Sequence, residues 1–168
     1  MHGSPRSHWE SIFASTPDEE VLPMLQAVEE DLVITGHTHL QMDRQVGRWR
    51  VLNPGPVGMP LDGYYEANYM LLESCADGWT PTFRRVAYDI TPLLREFERI
   101  GFVEACGATG KMIVEEFASA RPRIDPFNRW RRQVYPGQPA TMAMADEFMT
   151  LDDKWQYMLP PFRINMEI

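Results

Sequence analysis

The chain has 168 residues, and 16 Lys and Arg against 24 Asp and Glu leave a net charge of −8. At 44% hydrophobic and 24% charged, this is the composition of a folded globular chain and excludes disordered and fibrous classes. No apolar run approaches the ~20 residues that span a bilayer, and the start lacks the apolar core of a secretory signal.

The acidic balance argues against non-specific nucleic-acid binding by the whole surface. Cys75 and Cys106 are the only cysteines and form no CxxC, so free thiols in a reducing, cytoplasmic setting are expected.

In chain order, the first helix signal is Thr16-Pro17-Asp18-Glu19, with Thr16 as N-cap and Pro17 at the first helical position. Val21, Leu22, Leu25 and Val28 continue it as one apolar stripe to about Glu29. Leu32-Val33-Ile34-Thr35, ending at Gly36, reads as a buried strand. Gln41 to Val46 and Trp49 to Leu52, around Gly47, predict a hairpin. Asn53 to Pro60 is too rich in Pro and Gly for a regular element and predicts a constrained loop.

Asn68 to Glu73 and Thr82 to Tyr88 predict two further strands around an Ala76-Asp77-Gly78 turn. Thr91-Pro92 repeats the cap signal, and Leu93, Leu94, Phe97 and Ile100 form a helical stripe closed by Gly101. Beyond it the pattern is helical around Met112 to Ala120, Asp125 to Arg132 and Ala145 to Trp155, with prolines between the pieces. Overall the order predicts an α/β fold over residues 1–101 followed by a helical tail over 102–168.

The sharpest chemical signal is Gly36-His37-Thr38-His39. In extended chain, residues i and i+2 project to one side, so both imidazoles can face a point just beyond the strand end. Imidazole is the commonest metal ligand near neutral pH; two solvent-facing loop histidines are the plainer alternative. His2, in His2-Gly3-Ser4-Pro5, precedes a turn as well. One helix and one strand separate it from His37, the spacing that sets two strand ends side by side in a parallel sheet. Open α/β sheets place their sites at such ends. His8 has no such setting and reads as a surface residue.

His2-Gly3-Ser4-Pro5, Asp31 to His39, and Leu52-Asn53-Pro54-Gly55-Pro56-Val57-Gly58 together resemble the last motifs of calcineurin-like metallophosphoesterases. The likeness is to the small bacterial and archaeal phosphodiesterase type and covers roughly residues 1–100. It implies part of a four-layer α/β/β/α sandwich with a dinuclear metal site that hydrolyses phosphomonoesters or phosphodiesters. His2 and His37 would ligate one divalent ion and His39 the other, with Mn, Zn, Fe or Ni all suiting such donors. In two-metal sites the ions polarise the phosphoryl group and activate the attacking water. Asn53 to Pro60 would form one wall of the site or a rigid connection. Where the family has Ser, this chain has Pro56, which removes a hydroxyl and a backbone N–H.

The family's earlier motifs, an Asp-x-His, a Gly-Asp and a Gly-Asn-His, do not occur in the sequence. They supply the bridging carboxylate and the catalytic histidine, so only a partial site is expected here and no catalytic residue is assigned. Asp31, Asp43 and Asp62 read as turn or surface groups. Without a bridge, two dications a few ångströms apart repel strongly, and the chain alone is expected to be weakly active or inactive. A truncated gene product, a site completed by an N-terminal segment or a second copy, and a noncatalytic interaction module on the same fold are the competing explanations. The last has precedent in a retromer subunit.

Two further stretches carry alternative readings. Arg121, Arg123, Arg129, Arg131 and Arg132 interleave with Phe127 and Trp130, a pattern suited to single-stranded nucleic acid or to a helix with its aromatics inward. The second reading is preferred, given the acidic total. Gly107-Ala108-Thr109-Gly110-Lys111 lacks phosphate-loop spacing and reads as a loop between helices. Met142, Met144, Met149 and Met158 read as core or interface fillers.

Overall fold

The structure is a computed structural model that describes residues 1–76 and 78–163; Asp77 of the expected turn and the last five residues of the expected tail lie outside the described residues. It divides into two compact units, Met1–Gly58 with Glu66–Ala87, and Met59–Tyr65 with Tyr88 onward. The α/β class expected from the sequence is what is found.

In the first unit, α1 (Asp18–Leu25) precedes β1 (Leu32–Ile34), β2 (Met42–Val46) and β3 (Trp49–Asn53). β3 lies between the other two, parallel to β1 and antiparallel to β2. The α1 stripe packs on this sheet: Val21, Leu25, Val46 and Val51 are fully buried, with Ile12 and Val33 beside them. At ~25 cal/mol per Å² of apolar area, each such side chain contributes about 1.5–3 kcal/mol. In β1 only Val33 is buried and Ile34 is 37% exposed. The expected fully buried strand is thus a half-buried one, because the α1 core covers one face only.

Thr16 does not cap α1. Pro17 holds that position, and the Thr16 hydroxyl instead accepts the Phe13 amide at 3.0 Å. The helix also ends at Leu25, short of Glu29, four residues earlier than the apolar stripe suggests. The approach to α1 is tied down by Arg44 of β2, which donates to the carbonyls of Phe13 at 2.8 Å and Thr16 at 2.7 Å and pairs with Asp18.

β4 (Glu66–Cys75) and β5 (Gly78–Ala87) form an antiparallel ribbon, longer at both ends than expected for β4. Arg50 of β3 grips Asp43 with two bonds of 2.9 and 2.7 Å and donates to the Trp79 carbonyl at 2.7 Å, linking sheet and ribbon. That guanidinium holds the Asp43 carboxyl below its usual range.

The second unit carries α2 (Thr91–Arg99), α3 (Phe102–Ser119), α4 (Ile124–Val134) and α5 (Met142–Thr150). Gly101, at φ 62°, separates α2 from α3, as the closing glycine predicts. The stretch expected as a loop at Gly107 to Lys111 is helical except at Gly107, whose φ of 61° and ψ of −143° break α3. Glycine tolerates that conformation, and the flanking helical residues supply enough helix propensity to resume the turn. Lys111 pairs with Asp146.

The aromatics of α4 point inward. Phe127 and Trp130 are 2% and 3% exposed and meet Phe148 of α5 at 5.7 and 5.6 Å between ring centroids. This supports the helix-with-inward-aromatics reading over a stacking surface for bases. Of the methionines, Met144 and Met158 are buried, whereas Met142 is 39% exposed and fills no core.

Candidate metal centre

The main chain at residue 1 runs beside the end of β1. The Met1 amino group donates to the Ile34 carbonyl at 2.9 Å, and the Gly36 amide donates to the His2 carbonyl at 2.8 Å. These two bonds set His2 against His37. The His37 Nδ1 lies 3.1 Å from the His2 Nε2, with the rings edge-to-face at 4.9 Å.

The histidine loop is not extended, so i, i+2 alternation is not what orients it. His37 and His39 both adopt left-handed backbone, with φ of 60° and 54°, a region L-residues rarely occupy and which costs about 1–3 kcal/mol each. The loop is held in that shape from below. Asn53, fully buried at the end of β3, donates from Nδ2 to the Gly36 carbonyl at 2.7 Å and to the Thr38 hydroxyl at 2.9 Å. Its Oδ1 accepts the Gly55 amide at 3.0 Å, joining the histidine loop to the Pro-Gly loop. Asn53 is the residue that sequence reasoning missed. The signal was present in Asn53-Pro54-Gly55, where a side-chain carbonyl two residues before an amide makes an Asx turn. Its second role needs the tertiary contact.

The loop after His2 is also fixed. The buried Ser4 hydroxyl accepts the amides of Arg6 at 3.1 Å and Ser7 at 3.2 Å and bonds to Glu10. Arg6, and then Ser4, hold the Glu10 carboxyl below its ordinary range. Gly3 is required by close approach: a Cβ there would sit 2.5 Å from the Ser7 carbonyl oxygen and 2.6 Å from that of His8.

Burial first, then the charges of His2 and His39, lower the His37 pKa, while a hydrogen bond to the Trp9 backbone opposes them. His37 is therefore a neutral imidazole near pH 7, the form that ligates metals. A backbone carbonyl on a ligating imidazole fixes its tautomer and orientation. Two nitrogens held about 2.1 Å from one ion lie about 3.0–3.4 Å apart for bond angles of about 90–110°. The His2–His37 pair fits that requirement as two donors. His39 acts on the same ring electrostatically, and no group of three His, Cys, Asp or Glu side chains among the described residues is gathered to hold an ion. His8 is exposed, as expected. Asp31 and Asp43 pair with Arg48 and Arg50, and Asp62 accepts the Tyr64 amide at 3.3 Å.

Comparison with known proteins bears on this arrangement. Residues 2–77 match the calcineurin-like phosphoesterase superfamily domain. This part of the chain is thus similar to that superfamily's domain. The matched segment holds all of the histidines and both loops described above.

Among solved structures, the chain is similar to a hypothetical protein from Pyrococcus horikoshii OT3, at 18% identity and a TM-score of 0.58, over 73% of this chain and 46% of that one. It is also similar to a metallophosphoesterase from Sphaerobacter thermophilus, at 26% identity and a TM-score of 0.53, over 71% of this chain and 53% of that one. The chain thus spans about half the length of these structures. Among curated proteins no match is found. Among the described residues no helix is long and apolar enough to cross a membrane.

Proposed function

We propose that residues 1–101 contribute the histidine side of a metal-dependent phosphoesterase site acting on phosphomonoesters or phosphodiesters, with 102–168 as a helical tail. The observation that carries this reading is the 3.1 Å contact between the His2 and His37 ring nitrogens, made by two chain segments that end side by side. His2 and His37 would hold one divalent ion and His39 would ligate a second, Mn, Zn, Fe or Ni. When bound, such ions supply Lewis acidity toward a phosphoryl oxygen. The chain's own residues position the donors: Asn53 holds the histidine loop, Ser4 holds the loop after His2, and the lowered pKa keeps His37 neutral.

The bridging carboxylate and remaining ligands would come from a complementing N-terminal segment or a second copy of the chain. The four-layer α/β/β/α stacking and a cytoplasmic location belong to the same proposal. Nucleic acid and membrane are not among the proposed partners.

Calorimetric titration with manganese tests this reading. Binding lost in both His2→Ala and His37→Ala supports it, together with weak or absent hydrolysis of a chromogenic phosphodiester by the chain alone. A stable fold that binds no manganese points instead to a noncatalytic interaction module.

A further inference from the structure

Trp9 is 83% exposed, the most exposed of the large hydrophobic side chains among the described residues. Its backbone is held while its side chain is left in water. The Trp9 amide donates to the Ser7 hydroxyl at 3.2 Å, and its backbone hydrogen-bonds the His37 ring. The loop behind it is closed by the Ser4 and Arg6 contacts to Glu10, so the exposure is not that of a loose end. The indole stands edge-to-face with His37, 6.5 Å between centroids at 81°.

An indole buried in a core would contribute a large apolar area to stability. Here that area faces solvent beside the paired imidazoles. A phosphoester bound at an ion that His2 and His37 would hold lies beside the loop that carries Trp9, whose indole is 6.5 Å from the His37 ring. An aromatic substituent meets a π-face there; an aliphatic one meets nothing it can stack on. Stacking uses the face of a ring and not its hydrogen-bonding edge, so it tolerates many rings.

We propose that Trp9 is a stacking platform for a planar aromatic group, a nucleobase or an aryl ring, carried by the phosphoester; this rests on the phosphoesterase reading of the histidine pair. The site therefore prefers aromatic phosphoesters over aliphatic ones and discriminates little among bases.

The test is calorimetric binding of adenosine monophosphate, phenyl phosphate and ribose phosphate to the full chain with manganese present. The aromatic compounds are expected to bind about tenfold tighter than ribose phosphate. Trp9→Ala removes that advantage and leaves ribose phosphate unchanged, while Trp9→Phe retains most of it. An advantage for adenosine monophosphate alone assigns the platform to nucleobases, and one shared with phenyl phosphate assigns it to aryl rings in general. Equal binding of all three, or an advantage that survives Trp9→Ala, overturns the proposal and leaves the phosphoesterase reading standing. Binding of none overturns both. His37→Ala should weaken all three alike, which a role confined to stacking would not do.

Discussion

Around the paired histidines, buried polar side chains are satisfied by backbone: Asn53 by Gly36 and Gly55, Ser4 by the amides of Arg6 and Ser7. The helical unit has a packed aromatic core and, separately, a buried carboxylate that is only half satisfied. Glu116 Oε1 accepts the amides of Arg123 at 2.7 Å and Ile124 at 2.9 Å, capping α4 from α3, while Oε2 is buried without a hydrogen-bond partner among the described residues. The first region holds its shape by hydrogen bonds that fix the loops carrying His2 and His37. The second holds its shape by packing and tolerates a buried charge where it ends a helix. Loop geometry and helix packing are thus fixed by different contacts.

The largest expected effect tests the packing side of that contrast. Phe148→Ala empties a site 1% exposed between Phe127 and Trp130 and should cost about 3–5 kcal/mol in denaturant unfolding. A cost under about 1 kcal/mol would mean that the aromatic cluster is not what holds the helices.

On the hydrogen-bonded side, Asn53→Ala removes two donors' worth of bonds and one acceptor from a fully buried position. It should cost about 2–4 kcal/mol, with faster amide exchange at Gly55. If exchange at Gly55 stays slow, the Pro-Gly loop is held by something other than Asn53.

Glu116→Ala leaves two α4 amides without their acceptor and should cost about 2 kcal/mol. The companion variant Glu116→Gln keeps the acceptor oxygen and removes the charge. Burial raises the Glu116 pKa above its ordinary 4.5, against the opposing pull of the Arg123 and Ile124 amides. The folded state therefore binds more protons than the unfolded one in the window just above pH 4.5, and stability falls as pH rises through it. Glu116→Gln should lack that fall and gain on the wild type as pH rises. Parallel stability curves for the two proteins between pH 4 and 7 would contradict this account of the buried charge.

The smallest effect concerns the imidazoles. His2→Ala removes one of the charges that lower the His37 pKa but not the burial that is its first cause. In proton NMR the His37 titration should move part of the way up toward the ordinary 6.5. No movement would separate the two rings in solution and weaken the case for a shared ion.

Much of the fold was legible in the chain itself. The α1 stripe, the hairpin around Gly47, the helix closed by Gly101 and the inward aromatics of α4 all follow from periodicity and turn residues, which act between near neighbours. The histidine motifs were legible for the same reason. The Thr16 cap failed because its hydroxyl had a competing amide at Phe13, and the Gly107 loop failed because a single left-handed glycine interrupts a helix without ending it.

What the sequence determined by itself is therefore local: which segments are helix, strand or turn, which faces are apolar, and where the histidines sit in their motifs. Only the tertiary structure decided that His2 meets a ring 35 positions later, that Asn53 rather than strand alternation shapes the histidine loop, that Glu116 caps a helix not its own, and that Trp9 stands beside the imidazoles in water. Each of those depends on a hydrogen bond or contact between distant positions, whose existence is set by sheet register and packing and is invisible to any window of neighbouring residues.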